Sequence, residues 1–214
     1  MQDTQAATEP RSILRNPFVW AFFAGIIMLT AIRPLMRNVP EPPQLLSRLP
    51  AYTLTAQDGR PFGSAELAGR VYVANFIFTR CPSVCPALTA RMADLQGLLE
   101  AEGVDEVRLV SISVDPDYDT PERLAEYGRA HGADPARWTM LTGELAAIRS
   151  LVMEGFRTPL GEPDPDGNLI DIAHSTRFVL VDGEGGIRGY YDGDAEGVDE
   201  VFHRARHVLR ERRH

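Results

Sequence analysis

Cys81 and Cys85 are the only two thiols in a chain of 214 residues. They stand in the run Thr79-Arg80-Cys81-Pro82-Ser83-Val84-Cys85-Pro86. Pro86 suits the first position of a helix, which places Cys85 at or near the helix start. There the helix dipole and the unpaired N–H groups favour a thiolate over a thiol. The spacing brings both sulfurs to one end of that helix. Three chemistries fit such a pair. A structural disulfide would close only a tiny loop and constrain the unfolded chain little. Dithiol–disulfide exchange commonly uses two intervening residues, and here there are three. Binding of a soft metal is the third: thiolates select copper(I) or zinc. Two sulfurs suffice for linear copper(I) but not for structural zinc, which takes four ligands.

A third ligand would separate these possibilities, and the chain holds five His. His131 falls at a helix end and reads as solvated. His203 and His207 are one helical turn apart, opposite an apolar face. His174 follows the apolar run Leu169-Ile170-Asp171-Ile172-Ala173 and precedes an expected strand, 176–182. Asp115, Asp117 and Asp119 alternate as in a calcium loop, but no Gly stands at its sixth position. They read as a turn and helix cap. The acidic loop 158–168, with the acids of 162–171, reads as solvated; a role in steering a basic partner is the alternative.

The elements that must position these residues follow from hydrophobic period and punctuation. Residues 51–57 followed by Asp58-Gly59 predict a hairpin. Residues 71–79 and 107–114 are apolar runs expected as strands buried on both faces. Between them, Leu88, Met92, Leu95 and Leu99 predict a helix over 86–102, ended by Gly103. Thr120-Pro121 opens another helix as cap and first residue. A third is expected over 143–153. Residues 176–182 and 187–192 predict a terminal hairpin, and 197–211 a last helix with Val198, Val201, Phe202, Ala205, Val208 and Leu209 on one face. The expected order is β-β-α-β-α-α-β-β-α. It predicts an α/β domain with a central mixed sheet flanked by helices, in a thioredoxin-like arrangement. In that arrangement the stretch bearing His174 borders the sheet end where the cysteine-bearing helix begins.

The N-terminal region is a separate object. Asn16 to Ile32 carries no charge, and with Pro34, Leu35 and Met36 it approaches the roughly 20 residues of a membrane span. A cleaved signal peptide is disfavoured, because Leu29-Thr30-Ala31 lacks the paired small residues of a cleavage site. The segments expected are a tail 1–15, a transmembrane anchor 16–36, a Pro-rich linker 37–50 and a domain 51–214. The flanking Arg residues leave topology undecided. Composition is that of an ordinary globular protein, 44% hydrophobic and 24% charged. A net charge of −8 argues against nucleic acid as a partner.

Three motifs, in order, are similar to those of the SCO/SenC family. Thr79 to Pro86 resembles its T-x-C-P-x-x-C-P signature. Ser113-Val114-Asp115-Pro116 with Asp119-Thr120-Pro121 resembles its S-V-D-P-x-x-D-T-P segment. His174-Ser175 with Leu180-Val181-Asp182 resembles its H-S…L-x-D segment. The resemblance covers roughly residues 45–212. It implies a membrane-anchored copper chaperone that assists assembly of the dinuclear copper centre of cytochrome c oxidase. Its ligands, for Cu(I) or Cu(II), would be Cys81, Cys85 and His174. Implied partners are the copper-bearing oxidase subunit, another copper chaperone, a thiol reductase and the membrane. The implied location is the bacterial inner membrane with the domain in the periplasm. The alternative is a thiol-disulfide oxidoreductase using Cys81 and Cys85 as a redox-active pair. Peroxide chemistry at Cys85 is disfavoured, since the peroxiredoxin P-x-x-x-T-x-x-C pattern is absent.

Overall fold

The computed structural model describes residues 17–32, 43–82, 84–160 and 176–211. The chain divides into two compact units, Met1–Glu41 and Pro42–His214. In the first, helix α1 (Pro17–Ile32) is apolar throughout, with Trp20, Phe22 and Met28 exposed. Sixteen residues rise about 24 Å, against the ~30 Å of a bilayer core. Among the described residues no helix is long and apolar enough to cross a membrane. Residues 16 and 33–36 of the expected anchor lie outside the described set.

The second unit is built on an eight-stranded mixed sheet. In chain order its elements are β1 (Ser47–Arg48), β2 (Thr53–Ala56), β3 (Pro61–Gly63), β4 (Val71–Ile77), α2 (Val84–Ala101), β5 (Val107–Ser113) and α3 (Pro121–Ala130). They continue with β6 (Trp138–Thr142), α4 (Leu145–Ser150), a π-helical turn (Leu151–Gly155), β7 (Arg177–Val181), β8 (Gly186–Asp192) and α5 (Ala195–Glu211). The strand order is β1-β8-β7-β4-β5-β6-β2-β3. Strands β4, β5 and β6 run parallel, and the remaining pairs are antiparallel.

Alternation along β4 divides the core. Val71 and Val73 join a cluster with Leu88, Met92 and Leu95 of α2 and Val201 and Phe202 of α5. Tyr72, Ala74 and Phe76 join a second cluster with Ile148, Val152 and Phe156. The sheet is therefore covered on both faces, and β4 is buried at every residue. That is why its sequence reads as an unbroken apolar run.

Two strands escaped the sequence reading. β6 falls between two segments expected as consecutive helices. It is five residues long and pairs with β5 through Leu109–Trp138 to Ile112–Leu141. With β6 in place, α3 becomes the crossover between parallel neighbours β5 and β6. β1 falls inside the expected linker and pairs with β8 at Ser47–Ile187. The other elements agree within a few residues. The hairpin β2–β3 turns through Gly59 at φ +80°, and Gly103 at φ +64° closes α2. These are left-handed conformations that glycine adopts without strain.

Candidate functional site

β4 ends at Ile77, and the chain turns at once: the Cys81 N–H donates to the Phe78 carbonyl at 3.2 Å. α2 then starts at Val84, with Cys85 in its first turn. Pro86 falls where its missing N–H costs nothing. The Cys85 N–H donates to Cys81 Sγ at 3.4 Å, so the helix start and the turn are joined through the sulfur. Both cysteines are buried, and no disulfide joins them.

The expectation of a thiolate at Cys85 is overturned. Burial pushes its thiol up to about 12, and Cys81 and Asp119 add to the rise against an opposing backbone hydrogen bond at Phe78. Cys85 belongs to a buried apolar cluster that also holds Phe78 and Val114. Desolvating a thiolate there outweighs the field of the helix N-terminus. Burial therefore favours the neutral thiol of Cys85 at neutral pH.

A polar brace holds this turn from below. Asp119 is fully buried and accepts hydrogen bonds from the Thr79 N–H at 3.1 Å, from the Thr79 hydroxyl, and from Ser113 Oγ at 2.5 Å. Ser113 Oγ in turn accepts from the Asp115 N–H at 3.1 Å. Asp115 pairs in two-pronged fashion with Arg80, Nε to Oδ2 at 2.6 Å and Nη2 to Oδ1 at 3.2 Å. Two guanidinium groups lie over the Tyr118 ring, Arg123 at 3.9 Å and Arg80 at 5.2 Å from its centre. The β5–α3 loop thus locks the two residues before Cys81. The Asp triplet is indeed a turn and cap, with Thr120 accepting from the Arg123 N–H at 3.4 Å. Its further role as the brace of the cysteine turn was not read from sequence. The clue was there: Ser113, Asp115 and Asp119 all belong to the second motif.

His174 lies outside the described residues, which stop at Leu160 and resume at Thr176. β7 begins at Arg177 and runs antiparallel to β4, with Ala74 opposite Val179. Its first residues therefore stand at the sheet end where β4 passes into the cysteine turn. The other described histidines are elsewhere. His131 is half-buried rather than solvated; its Nδ1 is 2.9 Å from the Tyr127 carbonyl, and its ring lies tilted against that of Tyr127, centres 4.2 Å apart. His203 pairs loosely with Asp199 at 3.6 Å. His207 is held below its ordinary value by burial and by Arg210 and its neighbours. Among the described residues, no group of three His, Cys, Asp or Glu side chains is arranged to hold a metal ion.

A mixed sheet covered by helices, with a dithiol at the first β–α junction of its parallel core, defines a thioredoxin-like domain. A sequence model of the SCO1/SenC family matches residues 42–210. The chain belongs to the SCO1/SenC family. It is 33% identical over 171 residues to a SCO1 protein homolog of Bacillus subtilis, spanning 79% of this chain and 86% of that protein. The solved structure of BsSco, a Sco-family cytochrome c oxidase assembly protein in which a disulfide switch was identified, superposes with a TM-score of 0.70 at 30% identity, over 79% of this chain and 98% of BsSco. The Arabidopsis thaliana ScoI structure with copper bound gives 0.64 at 26% identity, over 77% and 99%.

Proposed function

We propose that this protein is a membrane-anchored copper chaperone that helps assemble the dinuclear copper centre of cytochrome c oxidase. The observation that carries the reading is the juxtaposed Cys81 and Cys85, linked by the bond from the Cys85 N–H to Cys81 Sγ. Relatives point the same way: ScoI was solved with copper, and BsSco belongs to an oxidase assembly family. The donor set fits the ion. Two soft sulfurs in an apolar setting suit copper(I), and an added imidazole suits copper(II), which prefers nitrogen and a higher coordination number. Cys81, Cys85 and His174 would hold the ion, which is the cargo.

The protein's own part is to yield protons and to hold the turn. The Cys85 thiol must lose its proton as the metal enters, so binding releases protons and tightens with pH. The Asp119 brace keeps Cys81 and Cys85 at one helix end before the ion arrives. The anchor is residues 16–36, joined through residues 37–41 to a domain that begins by Pro42 and lies in the periplasm of a bacterial inner membrane. Its partners are the copper-bearing oxidase subunit, a second chaperone as donor, and a thiol reductase.

The disulfide switch of BsSco favours a second reading, thiol–disulfide exchange. Cys81 and Cys85 would give two electrons and two protons to a partner disulfide, forming the Cys81–Cys85 bond as the partner's two thiols appear. Replacing His174 by Ala separates the two. The copper reading expects copper(II) affinity to fall at least tenfold with dithiol exchange unchanged. Equal copper(II) affinity in His174→Ala would overturn the assignment of His174.

A further inference from the structure

We infer that a cavity at the opposite end of the sheet from the cysteines binds a small phosphate monoester, gripped by Arg70 and Arg108. β4 and β5 run parallel, with Tyr72 opposite Arg108. Arg70, two residues before Tyr72, therefore falls beside Arg108 where both strands begin. The cysteine turn follows the other end of β4. A cavity of about 690 Å³ opens where the strands begin, with Arg60, Arg70 and Arg108 in its lining. That volume lies within the roughly 300–1,000 Å³ of small-ligand pockets. Phe62 and Leu67 give it an apolar wall, and Thr139 on β6 adds a hydroxyl. The cavity shares no lining residue with the cysteine turn.

The lining also holds two acids, and both are engaged. Arg60 Nε donates to Asp58 Oδ2 at 2.7 Å, and Glu66 Oε2 accepts from the Gly63 N–H at 2.7 Å. Nearby, Asp105 is taken by Arg137 at 2.6 Å. Among the described residues, no carboxylate pairs with Arg70 or Arg108. Arg108 Nη1 donates to the Asp105 carbonyl at 2.6 Å, which leaves the other N–H groups of its fork to give. Burial holds the Arg108 guanidinium below its ordinary value, and the charges of Arg70 and Arg137 push it down further against Asp105 and Asp134. An anion between the two guanidinium groups relieves that repulsion. A phosphate monoester carries about two negative charges and three acceptor oxygens at neutral pH. It matches two guanidinium forks, which bind phosphate in two-pronged fashion. A phosphate diester has one charge and fewer free oxygens, so it matches less well. The apolar wall calls for an apolar body on the ester.

The test is calorimetric titration of the full chain, in a non-ionic detergent, with phenyl phosphate, which joins that head to an apolar ring. Inorganic phosphate and dihexanoyl phosphatidylglycerol, a soluble diester lipid, are titrated beside it. Arg70→Gln and Arg108→Gln each remove one fork; Arg91→Gln, on α2, removes the same charge elsewhere. Arg70 is exposed, so its substitution leaves the fold intact. Wild type should bind one phenyl phosphate per chain, more tightly than inorganic phosphate or the diester. Each cavity variant should bind it at least about tenfold more weakly, as loss of a hydrogen bond to a charged group predicts. Arg91→Gln should bind as wild type does. Absence of phenyl phosphate binding in wild type would overturn the inference. So would unchanged binding in Arg70→Gln and Arg108→Gln, or an equal loss in Arg91→Gln. Tighter binding of the diester would assign the cavity to a lipid headgroup and overturn the monoester.

Discussion

Removing the Asp119 carboxylate should cost the domain a large part of its stability. Asp119 is 0% exposed and accepts from three donors, the Thr79 N–H, the Thr79 hydroxyl and Ser113 Oγ. Asp119→Ala strands all three in a site closed to water. Each hydrogen bond to a charged group contributes about 1.5–3 kcal/mol, but bonds sharing one acceptor do not add. Breaking a buried charged network typically costs ~3–5 kcal/mol, and we expect that range. For a domain of this size the loss lowers Tm by roughly 6–20 °C. Asp119→Asn keeps one acceptor oxygen and sets an amide N–H₂ against the remaining donors, so it should lose about 1–3 kcal/mol. The assay is urea unfolding followed by circular dichroism on the metal-free protein, with copper affinity measured on the same samples. The brace should show as weaker copper binding in both variants, since the turn before Cys81 loosens. Asp119→Ala within ~0.5 kcal/mol of wild type would refute the reasoning, because no closed network of charged hydrogen bonds is that cheap to break.

Alkaline pH gives a second check. Burial raises the Cys85 thiol from 9.0 to about 12. Its contribution to stability is therefore full below pH 9 and is lost as pH rises towards 12. Wild type should lose more of its urea midpoint over that window than Cys85→Ser; parallel curves would contradict the burial argument. The same shift predicts slow iodoacetamide labelling of Cys85 at neutral pH in the metal-free protein, quickening as pH rises. Gly193 tests the packing between α2 and the start of β7. A Cβ there would lie 2.4 Å from Leu88 Cδ1 and 2.6 Å from the Thr176 carbonyl. Gly193→Ala should cost about 1–3 kcal/mol, read as a lower Tm.

The parallel core was legible because β4 and β5 are buried on both faces and so are written as apolar runs, while Leu88 to Leu99 mark α2 by period. β6 was not, because Trp138 to Thr142 follows α3 closely and mixes Thr with apolar residues, so it carries no strand period of its own. Its identity comes from pairing with β5, which only the fold supplies. β1 is two residues long and exists by pairing with β8. The cysteine pair and its place at a helix start were plain from Pro86 and the preceding strand. The protonation of Cys85 was not, since the helix N-terminus is visible in the sequence but the apolar walls that desolvate the sulfur come from distant positions. Asp119 was legible as a turn residue by its spacing. Its bond to Thr79, forty residues away, is a tertiary fact.

Anaerobic titration of the reduced full chain with copper(I), against a competing chelator, tests the central claim most directly. Wild type should take up one copper per chain with a sharp end point. Cys81→Ala and Cys85→Ala should each abolish the tight phase. Uptake of one copper per chain that survives loss of either cysteine would contradict the assignment of the dithiol as the copper site.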